Sequence, residues 1–448
     1  PILRTGPSSI SVASVEGLRI VYVGAFDKDG SYNDFRNFGG WFRGLFGEKG
    51  RSVRNMMSTL AHAPHRERKK MLSKVYSKSY LAHSSDMALI SRVLVNERLL
   101  PMLRRAIEAR QELVDVFELN LAVGQDFITA FLLGLEDSSD LIGDEKERIT
   151  IEREFLTVCE KVLRKEDEKR KITDEKEAKR DSMSPENSGE PVVFQQMYEK
   201  LAPLGSMSGP EKNLLPTIAS ELLDHIGAGR DTIAITLTYA MYELSRRPAL
   251  QGCLHEELRT LKQHACHPGN SLPSPSSINA LPLLHAISPE TLRLYPPSPN
   301  PQSRVVPAGG VELHSFLVPP GTIISSAPYV LHMNPAIFRS PKEYNPLRWL
   351  PKSSSGCSTS SELAAKRARF WPFSSGERKC IGSHFAEQIV KLVLVAMYSN
   401  SKTAVEDDTG IEPIDSNLGF PKGRKLVLRF ENVEKEKVGF AVVDKPKT

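Results

Sequence analysis

One cysteine in this chain has neighbours that suit metal ligation. The segment 373–382 reads FSSGERKCIG and places Cys380 just before a predicted helix. A thiolate there faces unpaired backbone N–H groups and the positive helix end, both of which lower a thiol pKa. Gly376 and Gly382 permit tight turns and the close approach of a flat group, and Arg378 offers a cation to a nearby anion. The alternative is a buried structural cysteine, but five of the ten residues have types that suit a metal-binding loop, which argues against it.

A second segment combines small residues with an acid and an alcohol inside a predicted helix. Ala228 and Gly229 leave room beside the helix for a diatomic molecule or a substrate, and Asp231 and Thr232 follow directly. An acid beside an alcohol can relay protons. Glycine inside a helix costs about 1 kcal/mol relative to alanine, so it needs a reason. Close packing of two helices is the alternative reason, and it would be favoured if the cysteine segment were absent.

A third pattern pairs an acid with a base on one helix face. Glu290 and Arg293 are spaced i,i+3, which alone is worth only about 0.2–0.5 kcal/mol on an exposed helix. Their context strengthens the signal, because the segment 294–297 (LYPP) follows and the segment 344–349 (YNPLRW) appears downstream.

A cluster of sulfur and imidazole side chains raises the possibility of a zinc site. On a continuous helix, however, positions 253 and 255 point about 200° apart, and the spacing of the cluster matches no common zinc motif. We therefore interpret it as a polar surface helix. Its members are Cys253, His255, His264, Cys266 and His267.

Composition limits the classes of protein that fit. The 448 residues are 40% hydrophobic, which excludes wholesale disorder, and 59 Lys+Arg against 54 Asp+Glu leave a net charge of +5, too small to indicate nucleic-acid binding. Five widely spaced cysteines are not a disulfide framework, so a reducing compartment is expected. The most apolar stretch, Leu119 to Leu135, is interrupted by Gln125 and Asp126, so we predict no membrane-spanning helix.

The elements that must position these residues are mostly helices. Apolar periodicity predicts helices throughout 53–163, with an exposed charged linker at 165–190 and a C-terminal tail at 431–448. Short strands are expected near the N-terminus and after Tyr295, where proline and glycine pairs indicate hairpins. The predicted strands are Ile10–Val15, Leu18–Val23 and Lys425–Phe430, and the predicted later helices are Leu214–Arg246, Ala249–Gln263, Leu281–Leu294 and Ile381–Met397.

Together, the cysteine segment and the two other motifs resemble the cytochrome P450 family, the haem-thiolate monooxygenases. The resemblance makes Cys380 the axial ligand of haem iron, with Phe373 near its sulfur and Arg378 on a haem propionate. Residues 228–232 look like the family's oxygen-activation motif. The buried structural network of the family corresponds to Glu290, Arg293 and Arg348.

Two further contacts to the haem follow from the resemblance. Arg304 matches a second propionate contact. His65 and Lys69 occupy the positions where relatives commonly have Trp-x-x-x-Arg, although an ordinary solvated basic face is an equal alternative. Pro289 departs from the pattern: it removes one helical hydrogen bond and costs about 3 kcal/mol unless the helix kinks there, and a kink that displaced Glu290 would endanger the network and haem retention.

The resemblance implies a mainly α fold with small β-sheets, an N-terminally shortened cytochrome P450 fold in one domain over 1–448. It implies haem b (iron protoporphyrin IX), with NADPH acting indirectly through a flavoprotein reductase. The sequence pattern is most like that of filamentous-fungal microsomal members. We therefore expect oxygen insertion into a bulky apolar secondary metabolite, a polyketide or terpenoid. The alternative is a haem-binding but non-oxygenating or defective relative, such as a sensor, an isomerase-like protein or a truncated product.

Three surfaces complete the expectations drawn from the resemblance. Substrate walls are expected at Trp41–Phe46, Asp224–Gly229 and Ser298–Asn300. A basic face formed by Arg378, Lys379 and Lys391 is expected to dock an acidic flavin domain. Attachment to the cytoplasmic face of the endoplasmic reticulum is expected through a segment preceding Pro1.

Overall fold

The computed structural model describes most of the chain. The described residues are 2–24, 26–30, 54–108, 113–143, 161, 164–165, 168, 189–201, 214–261, 272–352 and 357–433. The linker predicted at 165–190 and the aromatic substrate wall at 41–46 lie mostly or entirely outside them. Strand pairing continues to Asn432, so the described chain remains in a sheet for two residues of the predicted tail.

Helices form the bulk of the described structure, as predicted from the apolar periodicity. They are α1 (Val15–Val23), α2 (His62–Leu72), α3 (Lys78–His83), α4 (Ser85–Arg92), α5 (Leu100–Glu108), α6 (Val116–Leu133), α7 (Val192–Leu201), α8 (Leu214–Ser245), α9 (Pro248–Arg259), α10 (Pro275–Asn279), α11 (Pro282–Leu294), α12 (Pro328–His332), α13 (Ser360–Ala368) and α14 (Ser383–Tyr398). A π-helical turn, Val93–Leu99, joins α4 to α5, and 3₁₀ turns occur at Pro346–Trp349 and Gly376–Arg378.

Strands make up three small sheets. They are β1 (Ile2–Gly6), β2 (Ser9–Val12), β3 (Leu113–Asp115), β4 (Arg304–Val305), β5 (Val311–Leu313), β6 (Phe316–Val318), β7 (Ile323–Ser325), β8 (Ser401–Asp407) and β9 (Val427–Asn432). The sheet orders are β1-β2-β7-β4, β3-β9-β8 and the hairpin β5-β6. Within the first sheet β2 and β7 are parallel, and the other described pairs are antiparallel. This confirms a mainly α fold with small sheets.

The strand predicted at Leu18–Val23 is wrong, because this segment lies inside α1. Ser14 caps the helix by accepting a hydrogen bond from the Gly17 amide, and Glu16 favours the positive helix end. Leu18 and Val21 point into a small apolar cluster beside the first sheet. Capping and the burial of one helix face therefore outweigh the strand preference of the β-branched residues.

The long helix α8 runs through the main core and packs most extensively against α6. At their crossing, a Cβ atom on Gly124 would lie 2.6 Å from the Arg230 carbonyl oxygen, and one on Gly229 would lie 2.8 Å from Ile128 Cγ1. The glycines therefore let the two helices approach closely. Helix α6 is long and apolar enough to cross a membrane, but 89% of its residues are buried inside the protein.

Candidate active site

The loop that carries Cys380 is closed by its own backbone. The Cys380 amide donates to the Phe373 carbonyl at 2.9 Å, and the Lys379 amide donates to the Gly376 carbonyl at 3.0 Å. The Gly382 amide donates to the Cys380 sulfur. Helix α14 begins at Ser383, two residues later than predicted. The sulfur is thereby held at a helix start, with its tip accessible and with protein packed around it.

The prediction that this setting lowers the thiol pKa is wrong. Burial raises the pKa of Cys380, and this effect outweighs the Gly382 hydrogen bond and the charges of Lys69 and Lys379, which act in the opposite direction. The charge of Asp224 raises the pKa further. A bound metal cation would favour the thiolate at this position, because it deprotonates a coordinating thiol.

Gly376 is required by the protein chain itself. Its φ is +69°, and a Cβ atom there would lie 2.2 Å from the Tyr22 carbonyl oxygen. Gly376 thus makes a close approach to the end of α1. A Cβ on Gly382 would lie 3.9 Å from the Cys380 sulfur, an ordinary contact.

Lys69 is directed at the cysteine loop. Its ammonium donates to the Glu377 carbonyl at 2.7 Å and to the Lys379 carbonyl. This pair of contacts fastens helix α2 to the loop, so Lys69 positions the segment that holds the sulfur. Its expected partner, His65, lies one turn earlier and is 4% exposed, which excludes the alternative of a solvated basic face at that position.

Four basic side chains converge at the edge of this site: Lys28, His65, Arg304 and Arg378. Burial and the charges of Arg378 and Arg304 lower the pKa of Lys28 to about 7. Burial and the charges of Arg378, Lys28 and Lys69 lower the pKa of His65 to about 3. Such crowding of buried positive charge is unfavourable unless an anion is present.

Contacts with the surrounding protein fix where Arg378 and Arg304 point. Arg378 donates to the Thr59 carbonyl at 3.1 Å and to the Leu60 carbonyl, while Arg304 lies over the Tyr22 ring and is 2% exposed. The His65 Nδ1 atom is buried and has no hydrogen-bond partner among the described residues.

Lys28 was missed by sequence reasoning. It stands between two aspartates with no recognisable motif, and it reaches the cluster only because its backbone bridges to Arg304. Its ammonium donates to the Met57 carbonyl at 2.6 Å, which holds it at the edge of the site.

These observations fit a haem. An accessible but enclosed thiol supplies a soft ligand for iron, and Lys28, Arg304 and Arg378 supply the positive charge that two propionate groups require, with the neutral His65 beside them. Charge complementarity and ligand chemistry thus agree within one region.

The motif on α8 separates into two faces. Thr232 donates its hydroxyl to the Ala228 carbonyl at 2.6 Å, and both side chains are accessible on a largely buried helix. Asp231 is 8% exposed and accepts a 2.7 Å bond from the Arg230 side chain. Gly229 faces α6, so the close-packing interpretation holds for this glycine, and Ala228 is the small residue on the accessible face.

The predicted acid–base network is assembled around Glu290. Its carboxylate accepts from Arg293 Nη2 at 2.8 Å and Nε at 2.9 Å, and from Arg348 Nε at 3.0 Å. The Asn345 amide and the Trp349 indole complete the arrangement at 2.8 and 2.9 Å. All three charged residues are buried.

Pro289 does not displace Glu290. Helix α11 runs from Pro282 to Leu294 with Pro289 inside it, and the network geometry is intact. The displacement that would endanger the network therefore does not occur. The Thr291 hydroxyl donates to the Ile287 carbonyl at 2.9 Å in the same turn of the helix.

Two other expectations concern surface residues. Lys391 is 2% exposed and donates to Asn279 at 2.8 Å, so the prediction that it belongs to an exposed docking face is wrong. No group of three metal-binding side chains is present in the described residues, and His255 is bonded to the Ser401 carbonyl. His264, Cys266 and His267 lie outside the described residues.

Comparison with known proteins agrees with this geometry. The cytochrome P450 family model matches residues 155–428, more than half of the chain. The cytochrome P450 monooxygenase FGM1 of Gibberella zeae is 26% identical over 460 residues, which cover 96% of this chain and 85% of that protein.

Other relatives are similar over shorter regions. The cytochrome P450 monooxygenase penB of Penicillium thymicola is 34% identical over 174 residues, covering 39% of this chain and 36% of that protein. The mitochondrial 25-hydroxyvitamin D-1 alpha hydroxylase of Rattus norvegicus is 32% identical over 222 residues, covering 49% and 41%. With the thiol loop, the cationic cluster and the α8 motif in one site, the chain belongs to the cytochrome P450 family and is a haem-thiolate monooxygenase.

Proposed function

We propose that this enzyme inserts one oxygen atom of O2 into a bulky, largely apolar fungal secondary metabolite, with electrons from NADPH delivered by a flavoprotein reductase. The observation that carries the proposal is the shared site of Cys380 and the accessible face of α8 that bears Ala228 and Thr232. The relatives FGM1 and penB are both named as monooxygenases, which supports the same reaction class here.

The residues that would hold the haem are Cys380 on the iron and Lys28, His65, Arg304 and Arg378 around the propionates. When bound, a haem with a thiolate ligand supplies the O2 chemistry, because the thiolate pushes electron density that favours O–O cleavage. Gly382 tunes the ligand through its amide hydrogen bond to the sulfur. Lys69 maintains the loop by donating to the carbonyls of Glu377 and Lys379.

Proton delivery is assigned to Asp231 and Thr232. Thr232 Oγ1 donates a hydrogen bond to Ala228 O, which leaves its lone pairs free to accept a hydrogen bond from a water or a substrate group on the accessible face. Asp231 accepts from the Arg230 side chain at 2.7 Å on the neighbouring, buried face of the helix. An acid one residue before an alcohol supplies the two kinds of group that a proton relay needs.

A groove beside the cysteine loop is proposed as the docking place of the reductase. It has a volume of about 780 Å³ and is lined by residues that include Arg19, Arg367, Phe370 and Trp371. Arg19 and Arg367 are exposed, as is Lys379 on the loop itself. Exposed positive charge near the thiol would steer an acidic flavin domain and make reduction sensitive to salt.

Association with the endoplasmic-reticulum membrane is also proposed. Phe316 and Leu317 are 66% and 78% exposed next to the two-residue turn of the β5-β6 hairpin. His314 and Ser315 in that turn have positive φ, so the turn projects two apolar side chains in a fixed position. Such a tip is suited to the apolar part of a lipid surface.

A reduced, CO-treated absorption spectrum followed by turnover with a reductase tests the function. A thiolate-type spectrum together with NADPH-dependent oxygenation of an apolar substrate is expected. Haem incorporation without any oxygenated product from a panel of polyketides and terpenoids would contradict the substrate class, and absence of the thiolate spectrum would contradict the site itself.

A further inference from the structure

A buried histidine lies between the Glu290 network and the segment that leads into the cysteine loop. His332 is the last residue of α12 and is 1% exposed. Its backbone carbonyl accepts a hydrogen bond from Arg293 Nη1 at 3.2 Å, and its ring Nε2 atom accepts one from the Trp371 amide at 3.0 Å. One residue therefore joins the network to the chain nine residues before Cys380.

The ring of His332 also contacts the aromatic side chains around the network. Its centroid lies 5.1 Å from that of the Phe370 ring, and Phe370 lies 4.7 Å from the Trp349 ring. The Trp349 indole in turn donates to Glu290 at 2.9 Å. The imidazole is thus held from two sides, by the backbone contact with Arg293 and by these aromatic contacts.

The protonation state of the imidazole follows from what it contacts. A backbone N–H can only donate, so the Nε2 atom is the unprotonated acceptor and the Nδ1 atom carries the hydrogen. Burial and the charge of Arg293 lower the pKa of His332 to about 3, so the ring is neutral at physiological pH. The Nδ1 atom is buried and has no hydrogen-bond partner among the described residues. An apolar side chain would avoid the cost of that unpaired group, so the acceptor is what the imidazole adds here.

Two backbone hydrogen bonds carry this constraint from Trp371 to the cysteine. The Ser374 amide donates to the Trp371 carbonyl at 3.2 Å and closes a tight turn in which Ser374 has a φ of +60°. The Cys380 amide donates to the Phe373 carbonyl in the same turn at 2.9 Å. The peptide units of Trp371 and Phe373 are therefore set together, and loss of the His332 contact frees the first of them.

We propose that His332 is a positioning residue for the iron ligand: its neutral imidazole holds the Trp371 peptide unit and so fastens the turn before Cys380 to the Glu290 network. The inference rests on the haem-thiolate function and assigns to it a residue outside the cysteine loop. His332 acts through the backbone of the turn. Its loss therefore weakens the retention of thiolate ligation more than the loss of an equally buried hydrogen bond elsewhere does.

Two amide variants separate the acceptor from the presence of a polar side chain. In His332→Gln the amide oxygen reaches the position of Nε2, whereas in His332→Asn the shorter side chain ends at the position of Nδ1, too far from the Trp371 amide. The quantity to measure is the rate at which the reduced CO complex of the haem-loaded protein loses its thiolate-type spectrum. We expect this rate to rise about 10- to 100-fold in His332→Asn, the range for a buried donor left unpaired, and to stay near the wild-type value in His332→Gln.

Thr291→Val is the matched control for a general loss of stability. The Thr291 hydroxyl is buried and bonded to the Ile287 carbonyl and the Tyr344 hydroxyl, with no hydrogen bond to the described residues of 370–380. Urea denaturation is expected to give similar losses of unfolding free energy for Thr291→Val and His332→Asn. The thiolate-type spectrum is nevertheless expected to persist in Thr291→Val as long as in the wild type.

A wild-type rate in His332→Asn, an equal rise in His332→Gln, or an equal rise in Thr291→Val would overturn the inference. If His332→Asn does not load haem, hydrogen exchange of the Trp371 amide in the wild-type holoprotein decides. Slow exchange supports the bond to His332, and exchange as fast as that of an exposed amide overturns it. A wild type without a thiolate-type spectrum would contradict the haem-thiolate function itself, so the two failures are distinguishable.

Discussion

The Thr232 hydroxyl donates to the Ala228 carbonyl oxygen at 2.6 Å, one turn earlier in α8. This bond fixes the side-chain rotamer and leaves the oxygen of Thr232 as an acceptor on the accessible face. The same two residues therefore shape the surface and present its hydroxyl group. Both features come from one helical turn and depend on the backbone of α8 remaining regular at this point.

Thr232→Ala is expected to retain haem and substrate binding but to lower product formation by up to about a hundredfold, the lower end of the 10²–10⁴-fold that assistance from a positioned acid or base is worth. The lost reducing equivalents are expected to appear as peroxide. Product and peroxide per NADPH consumed are the quantities to measure. Thr232→Ser keeps the hydroxyl and serves as the control. An unchanged yield of product per NADPH in the alanine variant would show that Thr232 only packs against its neighbours.

Replacement of Cys380 tests the metal ligand. Cys380→Ala is expected to abolish the thiolate-type CO spectrum, since no other described cysteine shares the closed loop. Cys253→Ala and Cys357→Ala, at two exposed cysteines, are expected to leave the spectrum intact. Loss of the spectrum in either control, with a normal spectrum in Cys380→Ala, would contradict the assignment of Cys380 as the iron ligand.

The sequence predicted those parts of the site that are local. The ligand loop and the residues of the Glu290 network carry specific types at fixed spacings, and the long helix was predicted to within one residue at its C-terminal end. Lys28 and Asp224 belong to no such motif. Their surroundings depend on elements that come together only in the folded chain. Sequence reasoning placed Asp224 in a substrate wall but did not predict that its carboxylate accepts from the Met57 amide, whereas Glu221 pairs with Arg68.

The wrong predictions for the pKa of Cys380 and the exposure of Lys391 have an energetic explanation. The pKa of Cys380 was predicted from the helix end, whereas burial dominates in the structure. Lys391 was predicted as exposed from its charge, yet a hydrogen bond to Asn279 allows it to be buried. In each case a local rule was correct in sign, and a tertiary contact that the sequence does not reveal was larger.

The pKa of Lys28 predicts a pH dependence of haem retention. Its pKa in the protein is about 7, lowered mainly by burial. Propionates stabilise the ammonium and raise this pKa, so above pH 7 haem binding must take up a proton and weakens as the pH rises; below pH 7 Lys28 is already charged. Haem transfer to excess apomyoglobin is expected to quicken between pH 7 and 9. Lys28→Arg stays charged throughout and is expected to remove that component, and an identical pH profile in this variant would contradict the role of Lys28.

Glu290 is expected to be essential for stability. Glu290→Gln leaves Arg293 and Arg348 buried without a counter-charge, which costs about 3–5 kcal/mol of unfolding free energy. Glu256→Gln is the matched control, because Glu256 and Arg259 have the same i,i+3 spacing on an exposed helix face and contribute only about 0–1 kcal/mol. Urea denaturation of the two variants measures the difference, and equal losses would mean that burial of the network is unimportant.

Gly376 and Gly252 give opposite expectations for the same substitution. Gly376→Ala places a side chain at a φ of +69° and 2.2 Å from the Tyr22 carbonyl oxygen, so the loop must move away from α1. The left-handed backbone alone costs about 1–2 kcal/mol, and the clash adds to it. Gly252 lies in α9, where a Cβ atom would meet no described atom within 4 Å, so Gly252→Ala is expected to stabilise by up to about 1 kcal/mol. Thermal denaturation and haem content are the measurements. A Gly376→Ala protein with normal haem content and an unchanged Tm would show that the contact between α1 and the ligand loop does not hold Cys380 in place.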